Sequence, residues 1–152
     1  MSKISAKLTE EFFSPKKLAI IGVSRDPKKF SRMAYKELLG KGMDVYPVNP
    51  KLEEADGRKC YHDIGSLPTG IDRVIFMTPK NETASEVEKA IAGGFKYIWL
   101  QQGSETPEAI GIARQADVKL ISKACVLMFA HPVKSIHGFH RFMSRLFGQI
   151  SA

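Results

Sequence analysis

The chain is poor in cysteine, has a single tryptophan and lacks any long apolar run, and each shortage narrows what it can be. Its 152 residues hold two cysteines, Cys60 and Cys125, far apart in sequence. That spacing suits neither a disulfide scaffold nor a CxxC zinc or redox motif, so two free thiols are expected. No stretch approaches the ~20 consecutive apolar residues that span a bilayer, which argues against a transmembrane segment. The opening Met1-Ser2-Lys3-Ile4-Ser5-Ala6-Lys7 carries lysines but no apolar signal-peptide core behind them, and a cytoplasmic location is expected. Acid is also in the minority: 23 lysines and arginines face 16 aspartates and glutamates, a formal net charge of +7. Such a balance attracts polyanions, whether nucleic acid, acidic lipid or a multiply phosphorylated small molecule. There is no basic tail or low-complexity segment of the kind that wraps nucleic acid, so neither a nucleic-acid nor a membrane partner is expected. The basic residues gather instead at Lys16, Lys17, Arg25, Lys28, Lys29 and Arg32, and again at Lys134, His137, His140, Arg141 and Arg145.

What is present is the material of one globular domain spanning 1–152, with 43% hydrophobic and 26% charged residues. After an amphipathic lead-in from Leu8 to Phe13, the run Lys17 to Val23 is continuously apolar and ends in a glycine-containing turn, as a buried parallel strand does. Ser31 is placed to cap a helix with Ala34, Tyr35, Leu38 and Leu39 on one face, stopped by Gly40 or Gly42. A second strand, 44–48, follows. The pattern returns with a strand over 72–77, a helix capped by Asn81 and running to Ala92, and a strand over 97–100. Thr106-Pro107 opens a further helix before a last strand at 118–121. Strands alternating with helices predict an α/β fold: a doubly wound, mainly parallel sheet of about five strands with helices on both faces.

In such a sheet, ligands bind beyond the carboxyl ends of the strands. After the first strand stands Gly22-Val23-Ser24-Arg25-Asp26-Pro27. Gly22 permits a sharp turn and close backbone approach, Ser24 offers a hydroxyl, and the helix that follows points its unpaired N–H groups at any phosphate there. Only one glycine of a GxGxxG pattern is present, so a ligand loop and a plain βα turn both remain open from this segment alone. After the second strand comes Val48-Asn49-Pro50-Lys51. A dinucleotide site places Asp or Glu here for the ribose hydroxyls; a lysine instead suits a phosphorylated ribose, with Val48 and Pro50 as an apolar edge for an adenine ring. Met77-Thr78-Pro79 and Leu100-Gln101 follow the third and fourth strands. They carry no acid–base pair or nucleophile and look like walls for a neutral, amide-containing chain.

Together these loops resemble the CoA-binding domain family, the standalone bacterial relatives of the N-terminal domain of succinyl-CoA synthetase alpha subunits. The resemblance runs from about Lys17 to Met128 and is carried by Ile-Ile-Gly-Val-Ser-Arg-Asp-Pro, Tyr-Pro-Val-Asn-Pro-Lys, Gly-Phe-Lys-Tyr-Ile-Trp-Leu-Gln-Gln-Gly and Lys-Ala-Cys-Val-Leu-Met. It implies a Rossmann-like fold and coenzyme A, or an acyl-CoA, as cofactor. It also implies that Gly22, Val23, Ser24 and Arg25 hold the pyrophosphate, that Val48, Asn49, Pro50 and Lys51 hold the 3′-phosphorylated adenosine, and that Met77, Thr78 and Pro79 line the pantetheine path, with Leu100 and Gln101 beyond. The synthetase's second domain, with its phosphorylated histidine, has no counterpart in this sequence, so ligase chemistry is not expected to carry over. A regulatory or otherwise non-catalytic binding protein is the leading expectation. An NADP-dependent reductase-like domain and a basic interaction module for nucleic acid or protein are the alternatives.

Three further features lie outside these loops. Cys125 follows the last strand, either at the mouth of the cleft or buried and inert. His131, His137 and His140 lie close in sequence but lack a neighbouring Cys, Asp or Glu, so no metal site is expected. From about 137 to 150, Phe139, Phe142, Met143, Leu146, Phe147 and Ile150 recur at helical spacing. This amphipathic C-terminal helix is expected to pack on its own sheet or to form a homodimer, an anionic membrane being the other outcome.

Overall fold

The computed structural model describes residues 5–128. The predicted C-terminal helix, the three histidines beside it and the homodimer it would form lie outside those residues. Within them the elements are α1 (Ala6–Phe13), β1 (Lys17–Ile21), α2 (Phe30–Gly40), β2 (Asp44–Val48), β3 (Glu54–Ala55), β4 (Arg58–Lys59), β5 (Arg73–Phe76), α3 (Lys80–Ala92), β6 (Tyr97–Gln101), α4 (Pro107–Gln115) and β7 (Lys119–Ala124). Short 3-10 turns occupy Ile64–Ser66 and Val126–Met128.

Five strands form one sheet in the order β2-β1-β5-β6-β7, and every pairing is parallel. The side-chain alternation of β1 splits the core in two. Leu18 and Ile20 join Phe12 of α1, with Ala34, Tyr35 and Leu38 of α2, on one face. Ala19 and Ile21 join Val87 and Ala90 of α3, with Ala109 and Ala113 of α4, on the other. Both faces are covered, which is why β1 and β5 read as unbroken apolar runs. The fold is the Rossmann-like α/β sheet expected from the alternation of strands and helices.

The helix starts depart from expectation. Lys29, not Ser31, occupies the N-cap of α2, and no side chain caps it. Ser31 sits within the first turn, where its Oγ accepts the Ser24 N–H at 3.0 Å. In α3 the N-cap is Pro79, not Asn81, again without a side-chain cap. The α4 start is as predicted: Thr106 Oγ1 accepts the Ala109 N–H at 3.0 Å and proline follows it. Gly42, at φ +85°, supplies the left-handed exit from α2, while Gly40 is still helical. β7 is longer than the predicted strand and meets β6 with an irregularity between Trp99 and Gln101.

Two tertiary locks hold the outer pieces. Arg73 is buried, and its guanidinium donates to the carbonyls of Glu11 (2.6 Å) and Phe12 (3.0 Å) at the C-terminal end of α1. The same group lies 4.0 Å from the centroid of the Tyr97 ring and pairs with Asp72. On the other side, the β3–β4 hairpin turns through Asp56 and Gly57, both at positive φ, and the Tyr35 hydroxyl donates to the Ala55 carbonyl at 2.8 Å.

Candidate functional site

The chain leaves β1 through α2 to reach β2 on one side, then crosses back to β5 on the other side of β1. The order reverses there, and connections that diverge in this way leave a crevice beyond the strand ends. A cleft of about 550 Å³ lies at that place, lined by the ends of β1 and β2 and the loop after β5.

Of the residues singled out from sequence, the cleft brings together Gly22, Val48, Asn49, Pro50, Lys51, Thr78 and Pro79. Val23, Ser24, Arg25, Met77, Leu100 and Gln101 are not in its lining. Val23 and Leu100 are fully buried, and Gln101 is buried with its Oε1 accepting the Val126 N–H at 2.9 Å. Ser24 and Arg25 continue the β1–α2 loop, with Arg25 exposed. Five residues that sequence reasoning passed over complete the wall beside Ile21: His62, Asp63, Glu82, Glu86 and Lys89. Glu82, Glu86 and Lys89 stand at i, i+4 and i+7 of α3, one helical face, and that polar stripe is the signal that could have found them.

Gly22 is fixed by its neighbours. Its φ is +101°, and a Cβ built on it would lie 2.3 Å from the Met77 carbonyl oxygen. The loops after β1 and β5 therefore touch backbone to backbone at the floor of the cleft. Asn49 ties the loop after β2 to the same floor. Its Nδ2 donates to the Val23 carbonyl at 2.7 Å, while its Oδ1 accepts the Lys51 N–H at 2.8 Å. Thr78 and Thr83 share a buried hydroxyl–hydroxyl bond of 2.6 Å, which holds the start of α3 against the β5 loop.

The β1–α2 loop satisfies much of its own backbone. The Gly22 N–H donates to the Val48 carbonyl, Ser24 to Ser31 Oγ, Asp26 to Ser24 Oγ, Lys28 to Asp26 Oδ1 and Lys29 to the Asp26 carbonyl. Arg32, one of the basic residues clustered near this loop in the sequence, is engaged. Its Nη1 donates to the Ser24 carbonyl at 3.2 Å and lies 3.5 Å from that of Arg25, and its Nε pairs with Asp56 at 3.1 Å. Exposed Arg25, Lys28 and Lys29 remain around the loop.

The cleft's charges are mixed. Lys51 and Lys89 face Asp63, Glu82 and Glu86, with Lys89 paired to Glu86 at 3.1 Å. His62 Nε2 lies 2.7 Å from Glu53 Oε1. Asp63 Oδ1 accepts the Ser66 N–H and closes a capping box over the turn that follows. The lining thus offers cations, carboxylates and an apolar floor of Ile21 and Val48, suited to grip a ligand that carries both phosphate and a donor-bearing ring.

Both cysteines are buried free thiols, as expected from their spacing, and burial pushes the Cys60 thiol above its ordinary value. Among the described residues no three His, Cys, Asp or Glu side chains gather as a metal site, and no helix is long and apolar enough to cross a membrane.

The chain matches the family model described as CoA binding domain over residues 16–131. It is 33% identical over 130 residues to the ADP-forming acetate–CoA ligase II subunit alpha of Pyrococcus furiosus, an alignment covering 78% of this chain and 28% of that subunit. To the uncharacterized protein YneT of Bacillus subtilis it is 27% identical over 128 residues, covering 84% and 94%. Among solved structures, a hypothetical protein from Pyrococcus horikoshii superposes with a TM-score of 0.77 at 32% identity, covering 84% of this chain and 95% of that one. The chain spans under a third of the ligase subunit and nearly all of YneT. With the family model matched across β1 to β7 and the crevice set where the strand order reverses, the chain belongs to the CoA binding domain family.

Proposed function

We propose that this domain binds coenzyme A or an acyl-CoA in the cleft between the ends of β1, β2 and β5, and that it acts as a binding or regulatory module without chemistry of its own. The observation that carries the reading is the loop after β2. Where a dinucleotide domain presents a carboxylate to a ribose, this chain presents Asn49, already committed to the Val23 carbonyl, followed by Lys51 at the cleft wall. In this reading Lys51 meets the 3′-phosphate, and the adenine lies against Val48 and Pro50. Gly22, Ser24 and Arg25 meet the pyrophosphate beside the uncapped start of α2. The pantetheine arm passes Thr78 and Pro79, while Met77, Leu100 and Gln101 shape that path from beneath as buried residues. The non-catalytic role is supported by the cleft lining, which among the described residues carries no serine or cysteine and whose one hydroxyl, that of Thr78, is bonded to Thr83 rather than to a base.

A thermal-shift titration with CoA, dephospho-CoA, NADP and NAD tests this. A ligand at a hundred times its Kd stabilises the fold by about 2.7 kcal/mol, so CoA should raise the melting temperature at concentrations where NAD does not. A response to NADP without one to CoA would refute the reading. Equal responses to CoA and dephospho-CoA would remove Lys51 from its role. One second reading has an observation behind it: the 33% identity to a ligase subunit. In that reading the domain supplies the CoA site of an acyl-CoA ligase, and its signature would be CoA-dependent acyl transfer on adding ATP and a carboxylic acid.

A further inference from the structure

The β3–β4 hairpin packs beside β2, with Ala55 in the same core as Val23, and one arginine side chain ties its tip to the β1–α2 loop. Arg32 leaves the first turn of α2, pairs through Nε with Asp56 at the tip of the hairpin, and turns Nη1 onto the Ser24 carbonyl. The side chains are 17% and 31% exposed, so the pair is sheltered enough to hold a fixed geometry. A guanidinium is planar, so anchoring one edge aims the other. A peptide bond is planar and trans, so pinning the Ser24 carbonyl toward Arg32 sends the Arg25 N–H to the opposite side. Among the described residues that N–H has no acceptor, whereas the amides of Gly22, Ser24, Asp26, Lys28 and Lys29 each have one.

We infer that Asp56 and Arg32 are positioning residues for ligand binding: a strut from the hairpin that fixes the Ser24–Arg25 peptide so that the Arg25 N–H faces an incoming phosphate. This rests on the proposed reading that the loop meets the pyrophosphate of CoA. The hairpin is a sound footing because it is held independently of the pair. Tyr35 donates to the Ala55 carbonyl from within α2, and the turn at Asp56 (φ +50°) and Gly57 (φ +79°) has the left-handed geometry of a tight two-residue hairpin. Asparagine is equally at home in that turn, so Asp56→Asn removes the charge and leaves the hairpin standing.

The experiment is isothermal titration of CoA into the wild type, Asp56→Asn, Arg32→Lys and the double variant, with urea unfolding and amide NMR spectra of each ligand-free protein. Losing a partly sheltered pair is expected to weaken CoA binding by about threefold to fivefold. The double variant should be no weaker than either single one, because all three break the same strut. The urea midpoint of Asp56→Asn should stay near wild type while its Arg25 and Asp26 amide resonances move. Unchanged affinity in Asp56→Asn, or losses that add in the double variant, would overturn the strut. If the wild type itself does not bind CoA, the functional reading fails. The ligand-free spectra then judge the strut alone: Arg25 and Asp26 resonances that stay in place overturn it, and resonances that move uphold it.

Discussion

Replacing Gly22 by alanine should damage this protein far more than replacing another glycine of the same backbone geometry. Gly22 and Gly103 have nearly equal positive φ angles, +101° and +96°. Alanine pays the left-handed strain at both, about 1–2 kcal/mol. At Gly103 the added methyl meets nothing within 4 Å. At Gly22 it meets the Met77 carbonyl oxygen at 2.3 Å and its carbon at 2.7 Å, with the Thr78 nitrogen at 3.2 Å. All three are backbone atoms at the end of a central strand, so no rotamer change relieves the contact, and β1 must part from β5. Overpacking of that kind adds about 1–3 kcal/mol, for a total of about 2–5 kcal/mol at Gly22. Urea unfolding reads both variants directly. Gly103→Ala should lower the midpoint slightly with the slope unchanged, and Gly22→Ala should lower it by roughly 1 M or more. A Gly22→Ala protein as stable as Gly103→Ala would refute the claim that the two loops touch at the cleft floor.

Two other outcomes follow from buried groups. Arg73→Met strips two donors from the end of α1 and leaves the Glu11 and Phe12 carbonyls without them, so stability should fall by about 2–4 kcal/mol. Hydrogen exchange in α1 should accelerate ahead of the sheet, and uniform protection across α1 and β1 would argue against the lock. Burial pushes the Tyr35 hydroxyl from 10.0 up to about 12. The folded state thus keeps a proton that the unfolded chain releases, and stability is full below pH 10 and falls as pH rises toward 12. The loss is on the order of 3 kcal/mol. Tyr35→Phe, less stable at neutral pH by about 1–2 kcal/mol for its lost hydrogen bond, should lack that part of the alkaline decline; parallel pH profiles for the two proteins would contradict it.

Where the sequence was legible, local chemistry and tertiary need agreed. β2 occupies the five residues its pattern marked, and Thr106-Pro107 opens α4 because cap and first-turn geometry are satisfied by adjacent residues. Ser31 misled because its hydroxyl is taken by a longer-range demand, the Ser24 amide seven residues earlier, and Phe30 starts the helix without it. Asn81 misled because Pro79, with its fixed φ, already breaks the chain from β5 and lets α3 begin at once. The hairpin at 54–59 has two-residue strands, too short for any alternation to announce. At the cleft, the residues supplied by strand ends could be read from the βα rule. His62 and Asp63 arrive by an irregular connection, and Glu82, Glu86 and Lys89 by the facing of α3, neither of which a linear motif encodes.

The double engagement of Asn49 bears on how this scaffold could change its ligand. Turning the proposed CoA cleft into one for an unphosphorylated dinucleotide calls for an acid just past β2, and Asn49→Asp looks like a one-letter step. Yet the aspartate would keep the oxygen that receives the Lys51 amide and lose the nitrogen that holds the Val23 carbonyl, setting a carboxylate against that carbonyl oxygen instead. The exchange would break the seam between the first two loops before it gained a ribose contact. Ligand identity is in this way welded to the integrity of the scaffold, and a redesign of cofactor preference has to begin by giving Val23 another donor.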